Sequence, residues 1–160
     1  MEPIRIFVAS SSEREPLAQE FATLVETALG TGAMVELWRS KFDFSDTAIE
    51  SLESIAEEAD FAIIVMTGDD VTISRDKESM SPRDNLVLEL GLFIGALGRK
   101  RSFVLREDKN NLKLPTDILG ITVVTFNNSS AAELTKSLQT QSRRLAAQIT
   151  KSGIRPKWLA

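Results

Sequence analysis

The stretch Phe61-Ala62-Ile63-Ile64-Val65-Met66 places six apolar side chains in succession. A strand with one face in solvent alternates polar and apolar residues, and this run shows no such alternation. We therefore predict a strand that is buried on both faces. Such strands are typical of the centre of a parallel sheet that helices cover on both sides.

Strand and helix patterns alternate along the rest of the chain. The predicted strands lie at residues 4–9, 34–38, 61–66, 102–105 and 121–125, and the predicted helices at 12–28, 47–59, 84–97 and 131–151. This alternation favours an α/β, flavodoxin-like fold, a five-stranded parallel sheet of order 2-1-3-4-5 with helices on both faces. Residues 68–82 are polar and are expected to form a loop. A loop or short helix is expected between the last two strands.

The composition of the 160 residues limits the possible chemistry. The chain has a formal net charge of −4 and contains no His, Cys or Tyr. A Ser-His-Asp triad, a Cys-His dyad, a disulfide and a Cys/His zinc site are therefore all excluded. The mild acidity argues against nucleic acid as a partner. Because no stretch matches a signal peptide or a membrane span, we expect a single cytoplasmic domain and no membrane partner.

Two loops at the expected binding edge of the sheet have suitable side chains. Ligands of open α/β sheets bind beyond the carboxyl ends of the strands. The turn Ser10-Ser11-Ser12 follows the first strand and offers hydroxyl and amide groups to a phosphate or a ribose. It is equally well explained as a turn followed by the capping box Ser12-Glu13-Arg14-Glu15. The loop after the second strand contains Phe42 and Phe44, and we expect one of them to stack on a base.

Glu89 is the most informative residue of the chain, because it is the only charge within the apolar helical run 86–97. A buried glutamate is rare unless it is paired or functional. Asn85 lies one turn earlier on the same side of the helix, and Arg83 lies at the helix start, where an anion is favoured. A structural ion pair of Glu89 with Arg83 or a distant Lys is the alternative. We favour the functional interpretation.

A lone carboxylate suits cleavage of the bond between a ribose and a positively charged pyridinium. The leaving group departs neutral, so no strong acid is needed, and the transition state resembles an oxocarbenium ion that a carboxylate stabilises. NAD+ is the common metabolite with such a bond. The residues of the chain thus permit this reaction, and they do not by themselves select it over others.

Four blocks and one dipeptide carry a resemblance to a known family. They are Arg5-Ile6-Phe7-Val8-Ala9-Ser10-Ser11-Ser12-Glu13, Ala59-Asp60-Phe61-Ala62-Ile63-Ile64-Val65, Asp69-Asp70, Pro82-Arg83-Asp84-Asn85-Leu86-Val87-Leu88-Glu89-Leu90-Gly91-Leu92-Phe93-Ile94-Gly95 and Leu114-Pro115-Thr116-Asp117-Ile118-Leu119-Gly120-Ile121-Thr122. From residue 4 to about 150 the chain resembles the TIR-like domains of bacterial anti-phage effectors in cyclic-nucleotide-activated systems (CBASS and Pycsar). The resemblance implies a TIR fold and hydrolysis of NAD+ to nicotinamide and ADP-ribose or a cyclic form. It further implies activation by self-association, with NAD+ depletion leading to abortive infection.

The resemblance also implies roles for individual residues. Glu89 takes the catalytic position. The expected substrate contacts, which include two residues from the helix pattern above, are Ser10, Ser11, Ser12, Phe42, Asp43, Arg83, Asn85 and Asp117. No metal and no cofactor are expected, since NAD+ is the substrate. The expected partners are further copies of the chain, through TIR–TIR contacts, and a STING-like or other cyclic-nucleotide-binding sensor domain. Residues 1–151 would form the TIR-like domain and 152–160 a linker or tail, with the sensor outside this chain.

Two other functions remain open at this point. A nucleoside deoxyribosyltransferase-like enzyme is also flavodoxin-like and also depends on a glutamate, but it acts on nucleosides. A non-catalytic TIR module would only bind partners or nucleotides. Glu89 distinguishes the second alternative, because a scaffold has no reason to bury a carboxylate there.

Overall fold

The computed structural model describes residues 2–37, 48–108, 112–118 and 120–156. Its strands are β1 (Ile4–Ala9), β2 (Ala33–Leu37), β3 (Phe61–Met66), β4 (Asp70–Ser74), β5 (Lys77–Ser81), β6 (Ser102–Glu107) and β7 (Thr122–Phe126). Its α-helices are α1 (Glu15–Leu29), α2 (Ala48–Glu58), α3 (Asp84–Leu97) and α4 (Ala131–Ser152). Short 3₁₀ turns cover Ser12–Arg14, Gly30–Gly32 and Thr116–Ile118.

The main sheet has five parallel strands in the order β2-β1-β3-β6-β7. When the hairpin formed by β4 and β5 is left out of the numbering, this is the predicted order 2-1-3-4-5. Strand β3 lies in the middle, and all six of its residues are buried. The prediction of an α/β flavodoxin-like sheet built around this strand is therefore confirmed.

Helices cover both faces of the sheet and form two separate cores. On one face, α1 and α4 pack against Phe61, Phe103 and Phe126. On the other face, α2 and α3 pack against Phe7 and Ile64, and the rings of Phe7 and Phe93 stack with their centroids 4.8 Å apart. Alternate residues of β3 contribute to the two cores, which explains why its sequence has no polar position. None of the helices in the described ranges has the length and apolarity needed to cross a bilayer.

The prediction of a loop over residues 68–82 was wrong. Residues 70–81 form an antiparallel hairpin whose five pairs run from Asp70 opposite Ser81 to Ser74 opposite Lys77. Its turn residues Arg75 and Asp76 have φ angles of 49° and 60°. Two successive positive φ values give a turn that matches the twist of the strands, and the usual sequence signal for it is Asn-Gly or Asp-Gly. Because Arg-Asp is not that signal, the pattern did not reveal the hairpin.

The predicted capping box was also wrong. The chain makes a 3₁₀ turn over Ser12–Arg14 before α1 begins at Glu15. No side chain caps α1, and the hydroxyl of Ser12 donates instead to a carboxylate oxygen of Glu13 at 3.3 Å. A serine that begins a 3₁₀ turn lies too early in the chain to cap the helix that follows it.

Asp60 connects distant segments at the amino-terminal edge of the sheet. Its side chain is buried, with 1% of its surface exposed. One carboxylate oxygen accepts the backbone N–H of Arg5 at 2.9 Å, and the other accepts that of Arg155 at 2.7 Å. The start of β1 and the segment after α4 are therefore attached to the same side chain.

Two arginines extend this attachment. The guanidinium of Arg101 lies over the ring of Phe61, 4.7 Å from its centroid, and donates to the carbonyl of Gly153 at 2.8 Å. The guanidinium of Arg155 donates to the carbonyls of Ala56 and Ala96, each at 3.2 Å. These carbonyls lie in the last turns of α2 and α3, where backbone acceptors lack helical partners. The segment after α4 is thus bound to both helices as well as to the sheet.

We predict that Asp60→Asn lowers the free energy of unfolding by about 1.5–3 kcal/mol, as expected for losing a hydrogen bond to a buried charged group. The amide –NH₂ that replaces one oxygen cannot accept a backbone N–H. Denaturant unfolding followed by circular dichroism measures the change. Asp76→Asn is the control, because asparagine tolerates the positive φ of the hairpin turn and a change within about 0.5 kcal/mol is expected. Equal effects of the two substitutions would contradict the prediction.

Candidate functional site

The carboxyl ends of β1 and β3 are neighbours in the sheet, and an aspartate with a nearly unexposed side chain joins the loops that follow them. The hydroxyl of Ser11, after β1, donates to Oδ2 of Asp69 at 2.7 Å. The hydroxyl of Thr67, after β3, donates to the same oxygen at 2.7 Å, and Nε of Arg14 donates to Oδ1 at 3.3 Å. The turn after β1 is therefore held against the loop after β3, at the place where flavodoxin-like folds bind ligands.

Asp69 is ionised in this arrangement. Burial alone would raise the pKa of its carboxyl group, but the hydrogen bonds from Thr67, Ser11 and Arg14, with the positive charge of Arg14, hold the pKa below its usual value. Donors favour the charged form of a carboxylate because they replace the water that burial removes.

The three predicted serines differ in their accessibility. Ser11 is buried, with 6% of its surface exposed, and its hydroxyl is engaged with Asp69. Ser10 is half-buried and Ser12 is exposed. The structure therefore leaves Ser10 and Ser12 accessible to a ligand at this turn, whereas the hydroxyl of Ser11 faces the protein.

The beginning of α3 is tied to the same turn. Arg83, the residue before the first helical position, forms an ion pair with Glu13, and its Nε lies 3.9 Å from a carboxylate oxygen of Asp70. The predicted site residue Arg83 is therefore close to the turn after β1, and its guanidinium faces two carboxylates. Asn85, two residues further along, is exposed.

Glu89 lies on the buried side of α3, with 7% of its surface exposed. Its Oε2 has no hydrogen-bond partner in the described part of the chain. Burial raises the pKa of the Glu89 carboxyl group to about 7. The alternative of an ion pair with Arg83 is not realised, since Arg83 pairs with Glu13. At ~1.5 Å per residue, Glu89 lies ~9 Å along the helix axis from Arg83.

The structure does not place Asp117 on the side of α3 that carries Glu89. It lies in the 3₁₀ turn Thr116–Ile118 and lines an open groove of about 920 Å³ beside the outer side of α3. The groove is lined by Thr72, Ser81, Pro82, Asp84, Val87, Leu88, Gly91, Leu92 and Lys113–Asp117. The α3 residues Leu88 and Gly91 that line it are exposed, whereas Glu89 is buried. Asp117 therefore lies on a different side of α3 from Glu89. Phe42 and Asp43 lie outside the described residues.

Asp69 is the part of the arrangement to which sequence analysis gave no role. Its position offered a signal, because it follows the buried strand β3 by three residues and so lies at the binding edge of the sheet. Its donors Ser11 and Arg14 are 58 and 55 residues away in the chain, which no local pattern reveals.

Comparison with known sequences gives a consistent result. Residues 5–128 match the family model described as "CAP12/Pycsar effector protein, TIR domain". A CD-NTase-associated protein 12 of Flavobacterium daejeonense is 39% identical over 146 residues, which cover 91% of this chain and 45% of that protein. The Pycsar effector protein XpPycTIR of Xanthomonas perforans is 36% identical over 126 residues, covering 78% and 41% of the two chains. The chain spans less than half the length of these relatives.

Comparison with solved structures supports the fold. A flavodoxin-like domain from Synechococcus aligns over 91% of this chain and 99% of its own length, with a TM-score of 0.52 and 12% identity. A flavodiiron core from Synechocystis aligns over 94% of this chain and 37% of its own length, with a TM-score of 0.58 and 11% identity. At these identities the likeness concerns the fold alone.

The family model covers most of the chain, and the quoted relatives share more than a third of their aligned residues with it. The sheet order agrees with the TIR fold that the resemblance implied. The chain belongs to the TIR-domain family of CAP12 and Pycsar effector proteins.

Proposed function

We propose that the chain is the NAD+-cleaving domain of an anti-phage effector, and that Glu89 is its catalytic residue. The observation that carries the proposal is the buried Glu89 carboxyl group, whose Oε2 has no partner in the described residues. Burying a carboxylate without a partner costs several kcal/mol, a cost that is retained where the group has a function. Membership of the TIR effector family supports NAD+ as the substrate.

The proposed reaction needs no general acid. As the bond between the ribose and nicotinamide breaks, its electron pair neutralises the pyridinium nitrogen, and nicotinamide leaves uncharged. The ionised Glu89 stabilises the positive charge that develops on the ribose. Water then adds to the ribose carbon and releases one proton, which gives ADP-ribose. A chain without His can therefore carry out the whole sequence.

The remaining residues of the site serve binding in this proposal. Ser10 and Ser12 meet ribose or phosphate oxygens, and Asn85 contacts the nucleotide at the start of α3. Arg83 leaves Glu13 and pairs with the pyrophosphate. Phe42, Asp43 and Asp117 stay proposed substrate contacts, and Asp117 would have to reach the substrate from the groove beside α3.

We further propose that self-association activates the domain. Since the chain spans less than half of its curated relatives, a sensor of cyclic nucleotides would occupy the remainder or a separate protein. A linker to it, which the sequence suggested for residues 152–160, would begin only after residues 153–155, because these are bound to the domain through Arg101 and Asp60. Depletion of cytoplasmic NAD+ during infection would be the outcome in the cell.

Glu89→Gln is expected to lower nicotinamide release from NAD+ by about 100-fold or more, because a neutral amide does not stabilise the developing charge. The assay uses chromatographic detection with the chain fused to an oligomerising partner. Glu53→Gln, an exposed position on α2, is the control and is expected to retain activity. Undiminished release by Glu89→Gln would refute the proposal. Base release from deoxynucleosides, with none from NAD+, would favour the deoxyribosyltransferase-like alternative.

The activity is also expected to rise with pH through a midpoint near 7. Burial raises the pKa of Glu89 to about 7, and only the ionised carboxylate stabilises the ribose cation. The rate constant kcat/KM reports ionisations of the free enzyme, so its pH profile tests this directly. A profile that is flat between pH 6 and 8, roughly one unit either side of the expected midpoint, would contradict the assignment.

Stability should change with pH in the opposite direction. The pKa of Glu89 is about 7 in the folded chain against an ordinary value of 4.5, so the stabilising effect of the protonated form is complete below 4.5. That effect is lost as the pH rises through 7, by up to ~3 kcal/mol in free energy of unfolding. Glu89→Gln removes the titration. The variant's stability advantage over the natural chain should therefore grow between pH 4.5 and 8, as denaturant unfolding at both pH values would measure.

A further inference from the structure

Asp69 joins two segments that meet at the candidate site, the turn after β1 and the loop after β3. It accepts hydrogen bonds from Ser11 in the turn after β1, from Thr67 after β3, and from Arg14 just before α1. Only 6% of its side-chain surface is exposed, so the carboxylate is directed into the protein and does not face solvent. A second contact closes the turn itself, since the backbone N–H of Arg14 donates to the carbonyl of Ser11 at 3.1 Å.

The contacts of Asp69 hold the turn in one conformation. Ser11 has extended backbone angles of φ −64° and ψ 158°, and its hydroxyl is directed to Asp69. With the side chain of Ser11 held inward, the more accessible residues on either side are Ser10 and Ser12. The orientation of the two serines proposed to meet the substrate therefore depends on a carboxylate that does not itself face the ligand.

We propose that Asp69 is a positioning residue for the nucleotide substrate, fixing the turn 10–12 against the loop after β3. This inference rests on the proposed function, because it takes the NAD+ site to lie at this turn. Asp69 contributes to affinity by pre-organising the turn, so that binding the substrate does not have to order it.

The carboxylate is needed for this role because both of its oxygens accept. Oδ2 accepts hydrogen bonds from the hydroxyls of Ser11 and Thr67, and Oδ1 accepts one from Nε–H of Arg14. An asparagine offers one accepting oxygen and an –NH₂ group, and it carries no charge. With the –NH₂ toward Arg14 two donors meet, and with the –NH₂ toward the hydroxyls both hydroxyls must turn to accept. In either orientation Asp69→Asn removes the ion pair with Arg14 and weakens the attachment of the turn while keeping the size of the side chain.

The experiment compares Asp69→Asn with Asp60→Asn. Both residues are aspartates whose side chains have little exposed surface and join distant segments, but Asp60 lies at the opposite edge of the sheet. Binding of NAD+ is measured by calorimetry in a Glu89→Gln background, and kcat and KM are measured with Glu89 intact, both on the oligomerised chain. We expect Asp69→Asn to raise Kd and KM about tenfold with kcat within about threefold, and Asp60→Asn to leave all three within about twofold.

A Kd unchanged by Asp69→Asn would overturn the proposal. So would an equal rise in Asp60→Asn, which would indicate general loosening of the fold, or a loss of kcat at constant KM. If Asp69→Asn does not fold, Ser11→Ala tests the same link and should raise Kd several-fold. Where both variants fold, the double variant should bind no more weakly than Asp69→Asn alone, because Ser11 acts through Asp69. Additive effects would instead show a direct contact of Ser11 with the ligand and would count against the proposal.

The outcomes also separate this inference from the proposed function. If the natural chain binds NAD+ without cleaving it, the proposed enzymatic activity is refuted. The Kd of Asp69→Asn for NAD+ still decides the role of Asp69 in that case. A natural chain that binds no NAD+ would overturn both.

Discussion

The structure depends on the burial of β3 on both faces. A central strand with no polar position can only exist if helices cover it from both sides, and the connections to its neighbours must then cross over the sheet. The two cores that result consist of α1 with α4 and of α2 with α3. Polar groups are consequently displaced to the two edges of the sheet, and α3 is held where its inner side packs against the strands.

Three carboxylates with little exposed surface differ in how the protein replaces the water that burial removes. Asp60 accepts two backbone N–H groups, and Asp69 accepts three side-chain donors. Glu89 differs from both, because its Oε2 has no partner in the described residues and burial raises its pKa to about 7. In the first two cases hydrogen bonds offset the loss of water. For Glu89 no donor in the described part of the chain offsets the loss of water at Oε2, and this is the observation on which its proposed catalytic role rests.

The sequence patterns predicted the structural features that depend on local periodicity. The apolar run of β3 and the single charge within the run 86–97 were sufficient to predict the sheet and to single out Glu89. The hairpin at residues 70–81 was missed, because its Arg75-Asp76 turn lacks the residues that usually mark positive φ. The contacts of Asp69 with Ser11 and Arg14, and that of Asp60 with Arg155, join positions 55 to 95 residues apart, so only the folded chain reveals them. Asp117 was predicted as a site residue from the family resemblance. The structure places it in the groove beside the outer side of α3, so matching a motif does not determine on which side of that helix a residue lies.

The attachment of residues 153–155 to the amino-terminal edge has a practical consequence for engineering. Arg101 and Asp60 direct the chain after α4 to the edge opposite the turn at Ser10–Ser12. Six residues of β3 at ~3.3 Å each separate the two edges by ~20 Å. A fluorophore, an affinity handle or an assembling scaffold joined beyond residue 156 would thus leave the turn at Ser10–Ser12 unobstructed. The C-terminal side is accordingly the sensible place to join such additions.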